Sequence, residues 1–203
     1  MSEWVKDKID TRNYRAWVGD STKYDLIGTM VSAYVEEKGL KSTDLFCDIG
    51  CGSLRIGQHI IKYLREGNYF GIEANYWLIE EAVKHEIGLE QLLDEKKPHF
   101  RVGFDFNLKS FDIEFDFILA HSIIIHACND QLIRIFDQVR NTLRLGGTFM
   151  FNYIPGESNK LNRWSYPSHV TYHPVKLKKM LSDFIIKEER FFDRDWFICT
   201  KAV

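Results

Sequence analysis

The chain has 203 residues, of which 45% are hydrophobic and 28% are charged, and this balance excludes a disordered or low-complexity protein. Its formal net charge of -2 offers no general positive field for nucleic acid, and no apolar run reaches the length of a membrane span. Charged residues near the N-terminus exclude an apolar secretory signal there, so we expect a cytoplasmic protein that binds neither nucleic acid nor membranes.

The first half of the chain alternates between helical and extended segments, judged by the spacing of its apolar residues. In chain order we predict a helix over 24–38, a strand over 45–49, a helix over 56–64, a strand over 69–72 and a helix that ends before Gly88. Glycines separate most of these segments, as expected for turns. Such alternation is typical of βαβ units, which form parallel sheets covered by helices.

The second half continues the alternation and then changes. We predict strands over 100–102, 115–120 and 148–154, with a helix before the last that is capped by Asn129 or Asp130 and ends at Gly146 and Gly147. After a long polar connection we predict a helix over 177–184 and two strands, 185–192 and 196–200. The complete pattern predicts an α/β fold, with a Rossmann-like, doubly wound, mostly parallel seven-stranded sheet, helices on both faces and a C-terminal antiparallel hairpin.

The cysteines and histidines do not form a metal or redox pattern. Cys47, Cys51, Cys128 and Cys199 contain no C-x-x-C pair, so we interpret them as free thiols. The spacing of His121 and His126 does not place both on one face of a helix, and no third ligand matches them. We therefore expect no metal site.

The strongest functional signal is the segment DIGCGSLRIG, which places a glycine turn between a strand and a helix. In a doubly wound sheet, backbone N–H groups at this position form a ligand crevice. A nicotinamide dinucleotide motif would have a third glycine where Arg55 stands, so that motif is absent. Glu73 closes the second strand, where a carboxylate can accept hydrogen bonds from both hydroxyls of an unphosphorylated ribose.

These features together resemble the class I S-adenosylmethionine-dependent methyltransferases over residues 44–154. DIGCGSLRIGQHI resembles the first motif of that family, YFGIEANYWLIEEA the second, and FDFILAHS the fourth strand. DIGCGSLR, GIEANYWLIE, KKPHF and WSYPSHVTYHP are also similar to a group of small bacterial methyltransferases whose acceptors are mostly unassigned. The resemblance implies S-adenosyl-L-methionine (SAM) as the cofactor and S-adenosyl-L-homocysteine (SAH) as its product.

The resemblance also implies residues for the methionine part of the cofactor. Gly50 and Gly52 would let the backbone approach it, and Asp48 would orient the loop or reach the amino group through water. Arg55 would pair with the cofactor carboxylate or, alternatively, face solvent on the first turn of a helix.

Other residues are implied for the rest of the cofactor. Glu73 would hold the ribose, Asp105 and Phe106 would bind the adenine, and Ala120 and His121 would flank the methionine chain. The complete predicted cofactor-binding set is Asp48, Gly50, Cys51, Gly52, Arg55, Glu73, Ala74, Asp105, Phe106, Ala120 and His121.

His126 is the predicted catalytic base. It follows the fourth strand, in a loop that overlies the transferred methyl group in the family. An imidazole has an ordinary pKa near ~6.5 and can accept a proton from a hydroxyl or ammonium acceptor at neutral pH. The structural alternative is a loop histidine that hydrogen-bonds the backbone and helps to cap the next helix.

We expect one methyltransferase domain over 1–203. Its predicted parts are an N-terminal helical or lid segment over 1–43, a cofactor-binding core over 44–154, an acceptor-side insertion over 155–173, and a C-terminal helix and hairpin over 174–203. One set of aromatic residues either forms a lid over the cofactor or packs the N-terminal segment, namely Tyr14, Trp17 and Tyr24. A second set either shapes the cofactor or acceptor pocket or fills gaps in the packing, namely Trp77, Trp164 and Tyr166.

The expected function is methyl transfer to a small molecule, at oxygen or nitrogen, by a monomer or homodimer. The residues after the fourth strand lack the [ND]-P-P-[YF] clamp that is typical of nucleobase amino methyltransferases. Two alternatives stay open at this point. One is a non-catalytic cofactor-binding or regulatory module of the same fold, and the other is a nicotinamide-dependent oxidoreductase.

Overall fold

The fold is built on one β-sheet. The computed structural model describes residues 13–158 and 161–202. Parts of the predicted N-terminal segment, the acceptor-side insertion and the C-terminal segment, at 1–12, 159–160 and 203, therefore lie outside the described residues. The strands are β1 (Phe46–Ile49), β2 (Tyr69–Glu73), β3 (His99–Val102), β4 (Phe115–Ala120), β5 (Leu143–Tyr153), β6 (Phe184–Phe191) and β7 (Arg194–Lys201). They form a seven-stranded sheet in the order β3-β2-β1-β4-β5-β7-β6.

The strand directions confirm the predicted fold class. The pairs β2–β3, β1–β4 and β4–β5 are parallel, whereas β5–β7 and β6–β7 are antiparallel. The strand order reverses at β1, as in doubly wound α/β proteins. β1 is buried along its whole length, as expected for a central parallel strand covered on both faces.

The described residues form two compact units, and the first comprises the described parts of Met1–Asp44 and Cys51–Val102. Its helices are α1 (Tyr14–Trp17), α2 (Tyr24–Glu37), α3 (Gly57–Tyr63), α4 (Trp77–His85) and α5 (Leu89–Lys96), with a 3-10 turn at Ser21–Lys23. A Cβ atom at Gly28 would collide with the carbonyl oxygen of Arg55. The absence of a side chain at Gly28 therefore lets α2 pack directly on the chain that precedes α3.

The second unit comprises the described parts of Leu45–Gly50 and Gly103–Val203. It contains α6 (Asn129–Thr142), α7 (Pro174–Met180) and a 3-10 turn at Leu108–Phe111. α6 buries Leu132, Ile135, Phe136 and Val139, which lie on one face at helical spacing. The Phe136 ring packs 5.6 Å from that of Phe151 in β5. Within the described residues, no helix is long and apolar enough to cross a membrane.

Two helical segments differ from the sequence predictions. α5 follows Gly88 and was not predicted; Gly88 has a φ of 76°, which lets the chain turn and start a new helix whose residue Leu89 is buried. The C-terminal helix ends at Met180, and Phe184 begins β6 instead of continuing that helix. Apolar residues at a helix–strand junction fit both elements, which is why the spacing extended the helix too far.

The junctions of α6 also differ from the prediction. Gly146 and Gly147 lie inside β5, which begins at Leu143, so they do not end the helix. Cys128 is the N-cap residue in place of Asn129 or Asp130, and the side-chain oxygen of Gln131 accepts its backbone N–H at 3.0 Å. Gln131 thus satisfies the backbone N–H of the N-cap residue, as the third helical residue does in a capping box.

Candidate active site

In the first unit, the glycine loop after β1 is joined to the end of β2. The Gly52 N–H donates to the Glu73 carboxylate at 2.9 Å, and the Cys51 N–H donates to the carbonyl of Ile72 at 3.1 Å. The Asn75 N–H donates to the other oxygen of Glu73 at 2.7 Å. Glu73 is only 7% exposed, so these bonds hold its carboxylate in one orientation in a buried position. The Asn75 side chain also donates from Nδ2 to Oε1 of Glu73 at 3.3 Å, so Oε1 already accepts two bonds, whereas Oε2 accepts one and retains a lone pair.

Two glycines of this loop need their lack of a side chain. Gly50 and Gly52 have φ values of 71° and 57°, in the left-handed region that other residues rarely adopt. A Cβ atom at Gly52 would lie 2.7 Å from Cγ1 of Val18, in the same unit. In the second unit, a Cβ atom at Gly50 would collide with Cδ1 of Ile123. Substitution at either position therefore combines backbone strain with a clash.

Arg55 is a buried cation near this loop. The residue is 7% exposed, and among the described residues its Nε atom has no hydrogen-bond partner. Burial lowers the pKa of Arg55 to about 10, so the guanidinium stays charged at neutral pH. The solvent-facing alternative for Arg55 is therefore wrong, and the residue precedes α3, which starts at Gly57. A buried charge without a counter-charge is destabilising unless something binds it.

An ion pair that the sequence did not indicate fixes α1 in the first unit. Arg15 donates to both oxygens of Glu86, at 2.8 Å from Nε and 2.7 Å from Nη2. The Tyr14 hydroxyl donates to the same carboxylate at 2.9 Å, and the rings of Trp17 and Trp77 meet edge to face at 5.5 Å. The paired residues lie 71 positions apart, so no local pattern could have revealed them.

α1 thereby places the residues that follow it against the glycine loop. Val18 contacts Gly52, and the Cβ position of Gly19 lies 3.1 Å from Nη1 of Arg55. The Tyr24 hydroxyl donates to the carbonyl of Ser53 at 2.9 Å. Tyr24 therefore packs beneath the glycine loop, whereas Tyr14 and Trp17 anchor α1.

In the second unit, a strained turn follows β4. Ala120 is buried at the end of β4, and the His121 ring stacks on Trp196 at 5.7 Å. Ser122 has a φ of 59°, and its N–H donates to Oδ1 of Asn152 at 2.6 Å. Asn152 is fully buried in β5 and was not predicted as a site residue. A polar amide that directly follows the apolar run 149–151 was the signal that could have identified it.

The remaining predicted residues of the second unit have different surroundings. Asp48 is 3% exposed and lies in β1, opposite Leu119. Asp105 is exposed and accepts the N–H of Asn107 at 3.3 Å. Phe106 is buried, and its ring lies 6.3 Å from that of Trp164. The adenine role predicted for Asp105 and Phe106 stays a prediction.

His126 lies at the centre of a group of rings in the same unit. It is 7% exposed, and its Nδ1 atom lies 2.8 Å from the carbonyl oxygen of Ser168. Because a carbonyl can only accept, Nδ1 carries the proton and Nε2 carries the lone pair of the neutral imidazole. The rings of Trp164, Tyr166 and His169 lie 5.6, 5.1 and 5.1 Å from that of His126.

The backbone of the 155–173 segment is fastened to the loop that holds His126. The N–H groups of Ser165 and Val170 donate to the carbonyls of His126 and Ile125, at 2.9 and 2.8 Å. The backbone bond of His126 agrees with its structural alternative. The capping part of that alternative is wrong, because Cys128 is the N-cap of α6. A fixed tautomer with a basic Nε2 is also what a general base requires, so the catalytic role stays a prediction.

The structure thus brings together some of the predicted residues within each unit. Cys51, Gly52 and Glu73 are linked by hydrogen bonds in the first unit, where Ala74 follows β2 and is half-buried. Ala120 and His121 adjoin the turn held by Asn152 in the second. Among residues 13–158 and 161–202, no group of histidine, cysteine, aspartate and glutamate side chains is arranged to hold a metal ion.

Comparison with known families gives the class of the protein. The family model of a methyltransferase domain matches residues 47–149, and the chain belongs to this family. It is a class I SAM-dependent methyltransferase, as its motifs indicate, and a methyltransferase domain of this kind uses SAM as its cofactor. This assignment contradicts the alternative of a nicotinamide-dependent oxidoreductase.

Individual relatives agree with the assignment. An uncharacterized methyltransferase of Schizosaccharomyces pombe is 32% identical over 92 residues, which are 44% of this chain and 33% of that relative. The chain thus matches about a third of the length of this curated relative.

Solved structures share the fold at low identity. Magnesium protoporphyrin IX methyltransferase from Synechocystis PCC 6803, with bound SAH, has a TM-score of 0.68 at 14% identity, over 97% of each chain. A protein from Pyrococcus horikoshii OT3 has a TM-score of 0.70 at 16% identity, over 96% of this chain and 99% of that one. These similarities establish the fold alone.

Proposed function

We propose that this methyltransferase transfers the methyl group of SAM to a small-molecule acceptor, at oxygen or nitrogen. The observation that carries the proposal is the hydrogen bond from Gly52 to Glu73, because it joins the glycine loop to a carboxylate suited to a ribose. The protein would act in the cytoplasm, as a single domain over 1–203, in a monomer or homodimer. Its partner would be a small molecule and not nucleic acid.

Glu73 would bind the ribose of the cofactor. Its Oε2 accepts the Gly52 N–H and has a lone pair for one ribose hydroxyl, and the second hydroxyl would take the place of the long 3.3 Å bond from the Asn75 side chain to Oε1. The buried site keeps this carboxylate away from bulk water, which strengthens each hydrogen bond. Both bonds to the backbone hold the side chain in place before the cofactor arrives.

Arg55 would bind the carboxylate of the methionine part. Its guanidinium is buried, and its Nε lacks a hydrogen-bond partner within the described residues. A carboxylate can accept two parallel N–H bonds from a guanidinium, and it would supply a counter-charge to Arg55. The chemistry of Glu73 and Arg55 thus fits the ribose and the carboxylate of SAM.

The other proposed cofactor contacts follow the family resemblance. The backbone at Gly50, Cys51 and Gly52 would approach the methionine chain, with Ala120 and His121 beside it and Asp48 orienting the loop. Asp105 and Phe106 would contact the adenine, and Ala74 would adjoin the ribose. These roles are proposals for mutagenesis.

His126 would remove the acceptor proton. SAM supplies a methyl group on a positively charged sulfur, which a nucleophile displaces in line. A hydroxyl acceptor forms a bond from its oxygen to the methyl carbon, and the sulfur–methyl bond breaks with its electron pair remaining on sulfur. The hydroxyl proton passes to Nε2 of His126, while Nδ1–H stays bonded to the Ser168 carbonyl.

Calorimetric titration with SAH tests the cofactor site without an acceptor. We expect saturable binding by the natural protein and a loss of about tenfold to 100-fold in affinity for Glu73→Gln, because hydrogen bonds to a charged group contribute about 1.5–3 kcal/mol. Glu90→Gln, on the exposed face of α5, is the matched control and should bind SAH normally. Folded natural protein that does not bind SAH, or equal affinities of the two variants, would overturn the proposal.

A further inference from the structure

The rings around His126 form a partly exposed cluster, which we call the aromatic cluster and define as His126, Trp164, Tyr166 and His169. All three outer rings lie within 5.6 Å of the His126 ring, measured between centroids. His126 is buried, Trp164 and Tyr166 are half-buried, and His169 is exposed. The rings of the cluster therefore extend from a buried imidazole to the protein surface. The rings of an ordinary core cluster are all buried.

The aromatic cluster is held by the backbone. The segment with the three outer rings is bonded to the His126 loop through Ser165 and Val170. The Ser165 hydroxyl adds bonds to the carbonyls of His126 and Ser168, at 3.1 and 3.0 Å. These bonds hold the segment that carries the rings in place before a ligand binds. Binding of a flat ligand would therefore cost little conformational entropy of the protein.

The charged group that acts on the aromatic cluster is Arg194, which is paired with Asp193 at 3.9 Å. Burial and the charge of Arg194 lower the pKa of His169, so that this imidazole is neutral at neutral pH. Burial alone raises the pKa of Tyr166, whose hydroxyl therefore stays protonated. With Arg194 paired and with Tyr166 and His169 both uncharged, the cluster offers neutral ring surfaces on which a neutral aromatic ring can stack.

We propose that the aromatic cluster recognises flat aromatic acceptors that carry a hydroxyl group, that is, phenols. The inference rests on the proposed function and specifies its acceptor. The phenol ring stacks on Trp164 and Tyr166, and its hydroxyl proton passes to Nε2 of His126 as its oxygen forms the bond to the methyl carbon. The sulfur–methyl bond breaks, and the products are an aryl methyl ether, SAH and the protonated imidazole.

Binding measurements with matched probes test this inference. 2-Naphthol, its saturated counterpart decahydro-2-naphthol and the cation phenyltrimethylammonium are titrated into the natural protein at saturating SAH. We expect 2-naphthol to bind about three- to tenfold more tightly than decahydro-2-naphthol, as aromatic pairing predicts, and more tightly than phenyltrimethylammonium, which has no hydroxyl to donate to Nε2 of His126. Trp164→Leu should remove this preference. Tyr63→Leu, which removes an exposed ring from α3, is the matched control and should keep it.

The possible outcomes separate this inference from the proposed function. Normal SAH binding with equal affinity for 2-naphthol and decahydro-2-naphthol would overturn the phenol assignment alone. Tightest binding of phenyltrimethylammonium would overturn it in favour of a cationic acceptor. Loss of the preference in Tyr63→Leu as well as Trp164→Leu would also overturn it. Absence of SAH binding would instead refute the cofactor proposal.

Discussion

Arg15 and Glu86 form a bidentate ion pair in the first unit, with both N–O distances at or below 2.8 Å. The Glu86 side chain is 10% exposed and that of Arg15 is 33% exposed, so the pair is only partly screened by water. Val18 and Gly19 directly follow the short helix that this pair anchors, and they lie against the glycine loop and Arg55. A distant surface contact thus sets the packing of residues next to the proposed cofactor contacts.

We expect Glu86→Gln to loosen α1. The change removes the charge while keeping a similar shape, and it should lower the free energy of unfolding by about 1 kcal/mol, the upper range for partly exposed pairs. It should also speed SAH dissociation, because Val18 and Gly19 lose their anchor. Urea unfolding and stopped-flow displacement of SAH measure the two effects.

Glu66→Gln is the control for this prediction. It breaks a pair with Lys97, whose side chain is 69% exposed, and should change neither quantity appreciably. Equal effects of the two variants would show that the position of α1 does not depend on Glu86.

Arg55→Met should change folding and binding in opposite directions. Removing a buried cation whose Nε has no hydrogen-bond partner among the described residues should leave the ligand-free protein equally stable or more stable, because its desolvation penalty disappears. The same variant should bind SAH at least about tenfold more weakly, since the bonds of a charged pair contribute about 1.5–3 kcal/mol. Thermal unfolding without ligand and titration with SAH give the two values.

An SAH analogue without the carboxylate identifies the group that Arg55 contacts. The natural protein and Arg55→Met should bind this analogue equally. Arg65→Met, at an exposed position, should bind SAH as the natural protein does. If Arg55→Met keeps full SAH affinity, Arg55 has only a structural role.

His126→Gln should separate transfer from cofactor binding. Glutamine can still donate to the Ser168 carbonyl but cannot accept the acceptor proton, so kcat should fall by about 100-fold or more while SAH affinity is kept. The rate is measured with labelled SAM and an acceptor found by screening. An unchanged kcat would leave His126 as a structural residue to which the chain around Ser165 is bonded.

The sequence predicted those features that depend on local pattern. The strand bearing Cys47 and Asp48, the glycine turn after it and Glu73 at the end of β2 follow from apolar runs and glycines, and the structure has all of them. α5 was missed because its apolar face is short, with Leu89 as its buried residue. A short helix with one buried apolar residue was therefore harder to predict than the buried strands.

Contacts between distant residues could not be predicted in this way. The pairing of Arg15 with Glu86 and of Ser122 with Asn152 depends on how elements pack, which spacing along one element does not encode. The burial of Arg55 was also hidden, because arginine is ordinarily exposed. The burial of Arg55 and the contacts between distant residues were therefore visible only in the structure.

Asn152 should be a positioning residue for the turn after β4. Its Oδ1 atom accepts the N–H of Ser122, whose φ of 59° is unfavourable for a residue other than glycine. Asn152→Ala would leave that N–H without its acceptor at a half-buried position, so the protein should lose about 1–3 kcal/mol of unfolding free energy, measured in urea. Asn141→Ala, which removes an exposed amide bonded to the Asp137 carbonyl, should change stability by less than about 0.5 kcal/mol.

Because Ser122 follows His121 directly, Asn152→Ala should also weaken SAH binding if His121 flanks the cofactor. A stable variant with full SAH affinity would show that the turn keeps its conformation without Asn152.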